Sequence, residues 1–169
     1  HDLGHEAVSF TGSQAGIVTD DSHTKAKILE IRGDRLERAL SEGHIVLVAG
    51  FQGVSTENNV TTLGRGGSDY SATIFAAALK AEEVEIWTDV SGIMTADPRI
   101  VPDARPISAI SYREAAELAY FGAKVIHPST IQPAVNLGIP VRVKNTFAPD
   151  HPGTEIVPAA AGIGVRAIA

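Results

Sequence analysis

Residues 62–69 read Thr-Leu-Gly-Arg-Gly-Gly-Ser-Asp (TLGRGGSD) and lead directly into YSATIFAAALKA, residues 70–81, which reads as a long helix. Flexible backbone and a full positive charge therefore sit at the mouth of a helix. The first N–H groups of a helix lack intrahelical partners and carry partial positive charge, so such a mouth attracts anions. Gly66 and Gly67 let backbone approach a ligand with no Cβ in the way. Arg65 adds a planar fork suited to carboxylate or phosphate. Asp69 fits that company only if it binds an ammonium group or a metal, or caps the helix. A glycine-rich turn with a Ser or Asp cap is the plainer alternative.

Around this stretch, short apolar runs alternate with helical patterns, the layout of an α/β sheet with helices on its faces. Ala7 to Phe10 and Lys27 to Ile31 are candidate strands, and Asp34 to Glu42 is a helix stopped by Gly43, where a left-handed residue is cheapest. His44 to Ala49 (HIVLVA) is continuously apolar and β-branched, as expected of a central strand buried on both sides. Ser55 to Thr62 is polar and reads as loop. The helix that follows offers Tyr70, Ile74, Ala77, Ala78 and Ala81 as one face. Glu83 to Thr88 is the next strand, followed by a turn-rich segment from Asp89 to Pro106. A helix begins at Ser111 with Glu114 reaching back in a capping box, packs through Ala115, Ala116 and Ala119, and closes at Gly122. Pro128 to Leu137 is a helix weakened by Pro133, and Val141 to Lys144 and Thr154 to Val157 are strands.

Of 169 residues, 44% are hydrophobic and 20% charged, with a formal net charge of -6, which argues against a nucleic-acid partner. The absence of cysteine removes disulfides, thiolate metal sites and thiol nucleophiles. No apolar run approaches the length of a membrane span or signal peptide, so a cytoplasmic setting is the default. The chain opens HDLGHEAVSF without an initiator methionine and closes GIGVRAIA, so both ends read as cut from a longer protein.

Three further segments carry candidate chemistry. Thr88 and Asp89 leave the carboxyl end of a strand, where ligands of open α/β sheets gather, although an Asp-initiated turn explains them equally. Asp97-Pro98-Arg99 is an ordinary turn tripeptide whose arginine could merely solvate the surface. Lys124 lies just past a helix end, where pairing with terminal carbonyls is the plainer role. His1 and His5 have the spacing of a metal pair, but no third ligand is indicated.

Taken together, VAGFQG, TTLGRGGSD, EIWTDVSGIMTADPR and ELAYFGAKVIHP resemble, in order and approximate spacing, the aspartokinases of the amino acid kinase family. The likeness runs from about Gly12 through Gly153. It implies a three-layer α/β/α sandwich with a mainly parallel sheet, of which this is the C-terminal half. Residues 1–157 would belong to the catalytic domain and 158–169 to a linker and the start of an ACT-type regulatory region. The implied reaction is ATP-dependent phosphorylation of the L-aspartate β-carboxylate, the first step toward lysine, threonine and methionine, with Mg²⁺ as cofactor. The implied partners are L-aspartate and ATP, with no nucleic acid or membrane, and a homo-oligomer or association with regulatory domains.

By the same resemblance, Arg65 grips a substrate carboxylate and Asp69 holds the amino group, while Phe51, Gly66, Gly67 and Ser68 shape the amino-acid pocket. Thr88, Asp89, Met94 and Arg99 contact the nucleotide, Met94 standing where many relatives have Tyr. Lys124 stabilises charge on the phosphates, making Lys124 and Asp69 the expected catalytic pair. The family's N-terminal Lys-Phe-Gly-Gly segment is absent from this sequence, so the chain alone is expected to bind nucleotide weakly and not to turn over. The competing expectations are another amino acid kinase, acting on glutamate, acetylglutamate or UMP, and a non-catalytic regulatory or assembly fragment.

Overall fold

The computed structural model describes residues 3–22, 24–64, 66–121, 125–159 and 167. The chain divides into two units, residues 1–79 and 80–169.

In the first unit, β1 (Ala7–Phe10) pairs in parallel with β4 (Ile45–Val48) as a two-stranded sheet. A second sheet has the order β3-β2-β5-β6, built from β2 (Ile17–Thr19), β3 (Ile28–Ile31), β5 (Gln52–Ser55) and β6 (Val60–Thr62). Helix α1 (Asp34–Ser41) carries Asp34 and Glu37 in its first turn and Arg38 in its last, the polarity that its dipole favours. Gly43 follows at φ +82, the predicted left-handed stop. Leu36 from α1 joins Ala15, Ile17 and Phe75 in the core, with Phe10, Ile28, Val46 and Val48 packed around them. Burying a side chain such as Leu36, only 1% exposed, stabilises the unit by about 2–3 kcal/mol.

Three expectations are corrected here. The apolar run His44 to Ala49 is not buried on both sides: Ile45 and Leu47 are 52% and 54% exposed, because the core cluster packs on the opposite face, which carries Val46 and Val48. The polar stretch Ser55 to Thr62 is not all loop, since β5 and β6 form an antiparallel hairpin through Gln52↔Thr62, Gly53↔Thr61 and Val54↔Val60. The buried stripe of helix α2 (Gly67–Leu79) includes Gly67, Ser71, Ile74 and Phe75, whereas Ala78 is exposed. The small residues Gly67 and Ser71 turn that stripe toward the β4–β5 connection.

The second unit is a four-stranded sheet of order β7-β9-β10-β8, from β7 (Val84–Thr88), β8 (Ala109–Ser111), β9 (Val141–Asn145) and β10 (Thr154–Val157). β10 runs parallel to β8 and antiparallel to β9, while β7 and β9 are parallel. Val84, Ile86, Val141, Val143, Ile110 and Ile156 point inward and are buried. They share the core with residues of α3 (Tyr112–Phe121) and α4 (Pro128–Asn136), among them Ala115, Ile131 and Ala134. The other face of β7 and β9 is polar: Lys144 lies 4.5 Å from the Trp87 ring centroid and 3.2 Å from Glu85.

The capping box forms as read. Glu114 accepts from the Ser111 N–H at 2.8 Å, and the Ser111 hydroxyl accepts from the Glu114 N–H at 3.3 Å. Gly122, expected to close α3, lies outside the described residues. Across both units four strand pairings are parallel and three antiparallel, so the described architecture is mixed α/β.

Candidate functional site

The candidate residues fall into two groups, one in each unit. The first group is built where β4 turns into β5, beside the mouth of α2. Phe51 takes φ +69, an uncommon left-handed conformation for a bulky residue. Three contacts hold it there. Its N–H donates to the Ser71 hydroxyl at 3.2 Å, that hydroxyl donates to the Gly67 carbonyl at 2.7 Å, and the Phe51 carbonyl accepts from Leu63 N–H at 2.9 Å. Close approach is possible because the helix mouth is made of glycine. A Cβ on Gly67 would fall 2.6 Å from Phe51 Cδ2, and one on Gly50 would fall 3.1 Å from Ser68 Cα. Backbone strain held by surrounding contacts is a feature of binding sites, and here it anchors a ring that remains 43% exposed.

Asp69 follows in the first turn of α2, half-buried, and burial raises its carboxyl above the ordinary carboxylate value. No described residue hydrogen-bonds or ion-pairs with that carboxylate. A helix N-terminus alone would favour the ionised form, so burial outweighs it here. A partly desolvated acid with no described cation beside it is a candidate binding group. The structure thus gathers Phe51, Gly66, Gly67, Ser68 and Asp69 into one patch. Arg65, the expected carboxylate fork, lies outside the described residues.

The second group begins at the carboxyl end of β7. Thr88 donates its hydroxyl to Asp89 Oδ1 at 3.2 Å, and the Thr88 carbonyl accepts from Thr146 N–H at 2.9 Å. Asp89 is exposed. The next residues are fixed from two sides. Asn145 Nδ2 donates to Ser91 Oγ at 2.9 Å. The fully buried Thr154 hydroxyl accepts from Ile93 N–H at 2.8 Å and donates to the Ile107 carbonyl at 2.6 Å. Gly92, at φ +106, passes so close to Thr154 that a Cβ would lie 2.4 Å from its hydroxyl oxygen. Met94 comes directly after this clamp and bridges to Pro106.

Arg99 is less free than its expected role suggests. Its guanidinium forms a fork on Asp97, with Nη2 at 2.7 Å from Oδ2 and Nε at 3.0 Å from Oδ1. That pairing pulls the Asp97 carboxyl down to about 2. The remaining N–H groups of an exposed guanidinium can still meet an anion. Lys124 lies outside the described residues.

Sequence reasoning missed Ser91, Asn145 and Thr154, which hold the β7 loop. Asn145 was within reach, because it ends a strand on the side where ligands of parallel sheets gather. Nothing local distinguishes Thr154 from any threonine opening a strand.

Residues 2–145 match the amino acid kinase family. The chain is 53% identical over 153 residues to an aspartokinase of Mycolicibacterium smegmatis, covering 90% of this chain and 36% of that protein. It is 48% identical over 149 residues to aspartokinase 1 of Bacillus subtilis, covering 88% of this chain and 37% of that protein. It therefore spans little more than a third of the length of the curated relatives it matches. Among solved structures, Escherichia coli aspartokinase III in complex with aspartate and ADP superposes with a TM-score of 0.86 at 41% identity, over 95% of this chain and 37% of that one. The UMP kinase of Bacillus anthracis, at 18% identity and a TM-score of 0.63, shares the fold.

Proposed function

This chain belongs to the amino acid kinase family, and from that premise we propose that the protein phosphorylates the β-carboxylate of L-aspartate with ATP, giving 4-phospho-L-aspartate and ADP. The observation that carries this reading is Asp69, a half-buried carboxylate at a glycine-lined helix mouth with no described cation beside it. A zwitterionic amino acid supplies that cation. The relatives point the same way, since the E. coli enzyme that superposes best among those described binds aspartate and ADP.

The chemistry needs little covalent help. A carboxylate oxygen is already an anion, so it attacks the γ-phosphorus without a general base. The bond from phosphorus to the bridging oxygen breaks, and that electron pair leaves with ADP. What the protein must supply is alignment and positive charge. In this reading Asp69 holds the ammonium group, Arg65 the carboxylate, and Phe51, Gly66, Gly67 and Ser68 shape the pocket. Thr88, Asp89, Met94 and Arg99 receive the nucleotide, and Lys124 stabilises charge on the phosphates.

Mg²⁺ would neutralise phosphate charge. It is usually held by phosphates, waters and one or two carboxylates, so it needs no dedicated protein cage. The described residues contain no cluster of three or more histidine or acidic side chains that could hold it. Residues 158–169 would open a regulatory region, and the whole protein would work in the cytoplasm, as a homo-oligomer or in association with regulatory domains, at the entry to lysine, threonine and methionine synthesis. No helix among the described residues is long and apolar enough to cross a membrane.

The test is a titration of the 169-residue chain followed by NMR, with L-aspartate and with ADP to millimolar concentration. Both ligands should perturb the spectrum, and Asp69→Asn should weaken L-aspartate at least tenfold while leaving ADP unchanged. Equal responses to L-aspartate, L-glutamate and N-acetylglutamate would overturn the substrate assignment, and no response to either ligand would overturn the reading.

A further inference from the structure

We infer, resting on the nucleotide reading above, that the exposed ring of Phe147 is the stacking surface for the nucleobase and that Asn145 is the positioning residue that holds it in place. Phe147 is 84% exposed. A phenylalanine ring carries a large apolar area that is ordinarily buried, so one held in solvent on an ordered turn has a face available for a ligand.

Its location narrows what that ligand is. Asn145 ends β9 directly opposite Thr88 in the parallel β7–β9 ladder, and Thr146 N–H donates to the Thr88 carbonyl at 2.9 Å. Phe147 is the next residue, so it stands on the same strand-end lip as Thr88 and Asp89. Ligands of parallel sheets collect outside that edge.

The turn is fixed by every polar group of Asn145 that could be spent on it. Its Oδ1 accepts from Phe147 N–H at 2.9 Å, its carbonyl accepts from Ala148 N–H at 3.1 Å, and its Nδ2 donates to Ser91 Oγ at 2.9 Å. One side chain therefore sets both the aromatic turn and the loop leading to Met94. Every nucleobase has a π-face, and an aromatic ring offers a stacking surface for any of them. Tyr120, Ile100, Val60 and Leu137 are also exposed, but none follows the carboxyl end of a strand; Val90 does follow β7, but it carries no ring.

The experiment is an NMR titration of the chain and its Phe147→Ala, Phe147→Tyr and Asn145→Ala variants with ADP and with ribose 5-diphosphate, which lacks the base. Thermal melting of each variant confirms that it is folded. Phe147→Ala should weaken ADP roughly five- to a hundredfold and leave ribose 5-diphosphate unchanged, with Phe147→Tyr within about twofold of the parent. Asn145→Ala should weaken ADP in the same sense. If Phe147→Ala binds ADP as the parent does, or loses both ligands equally, the inference is overturned and the nucleotide reading stands. If the parent chain fails to bind ADP at millimolar concentration, the nucleotide reading falls, and this inference with it.

Discussion

Gly67 and Phe51 meet with no room for a methyl group between them: a Cβ on Gly67 would lie 2.6 Å from Phe51 Cδ2 and 3.1 Å from its Cα. Gly67→Ala must therefore push the ring or the helix mouth aside. Overpacking of this kind costs about 1–3 kcal/mol, read as a lowered urea midpoint at unchanged slope. L-Aspartate binding should fall in the same variant, because Phe51 and Asp69 share that mouth. A midpoint within error of the parent would show that the contact is soft.

Asp69 supplies a prediction with a definite sign. Burial raises its carboxyl above the ordinary 3.8, so the folded protein binds this proton more tightly than the unfolded chain. Its ionisation therefore opposes folding, fully above the folded pKa and not at all well below 3.8. Asp69→Asn should melt higher than the parent at pH 7, and the gap should close as pH falls toward 4. A variant that melts lower at pH 7 would mean that the carboxylate already has a cation partner.

The Thr154 hydroxyl serves Ile93 N–H and the Ile107 carbonyl at once, in a position with no exposure. Thr154→Val keeps the shape and strands both groups. A loss of about 2–3 kcal/mol is expected from denaturant unfolding, together with weaker ADP binding through the freed loop. Unfolding at the parent's midpoint would show that water replaces the hydroxyl.

Asp97 should titrate near 2 while Arg99 is present. NMR of the side-chain carboxyl in Arg99→Ala should show its midpoint returning toward 3.8. A depressed carboxyl adds stability above its unfolded pKa and loses it as pH falls through the folded one, so the parent and the variant should differ at pH 5 and converge near pH 1. High salt should shrink the difference, since the pair is at the surface. No change in the Asp97 midpoint would separate the two residues in solution.

Much of this fold was legible because strong local signals agree with it. Ser111 and Glu114 announce α3 three residues apart, and Gly43 marks the end of α1 through a backbone conformation that glycine adopts cheaply. The β5–β6 hairpin was hidden for a physical reason. Its inward positions include Ser55 and Thr61, polar residues that are tolerated because they are hydrogen-bonded: Thr61 to Thr19 at 2.6 Å, and Ser55 to the N–H groups of Glu57 and Asn59. A hydropathy pattern cannot see a satisfied hydroxyl. The misreading of β4 has the opposite origin, because an apolar run states what a strand could bury and not what packs on each of its faces.

The candidate site divides along similar lines. Residues that touch ligand in the proposed reaction lie in contiguous motifs, so the patch from Gly66 to Asp69 could be read directly. The supports are distant in sequence: Ser91 and Asn145 are 54 positions apart, and Ile93 and Thr154 are 61. Only the folded chain brings them together.

The sheet order β7-β9-β10-β8 has one more consequence, for synthesis. The last described strand, β10, lies inside the sheet, with β8 on one side and β9 on the other. Until Thr154–Val157 leave the ribosome, β8 has no neighbour, and the buried Ile156 has not yet filled its place in the core. The first unit has its own sheets and core cluster among the described residues. During synthesis the second unit therefore passes through a stage in which β8 is unpaired, and a ribosome stalled before residue 154 would hold it there.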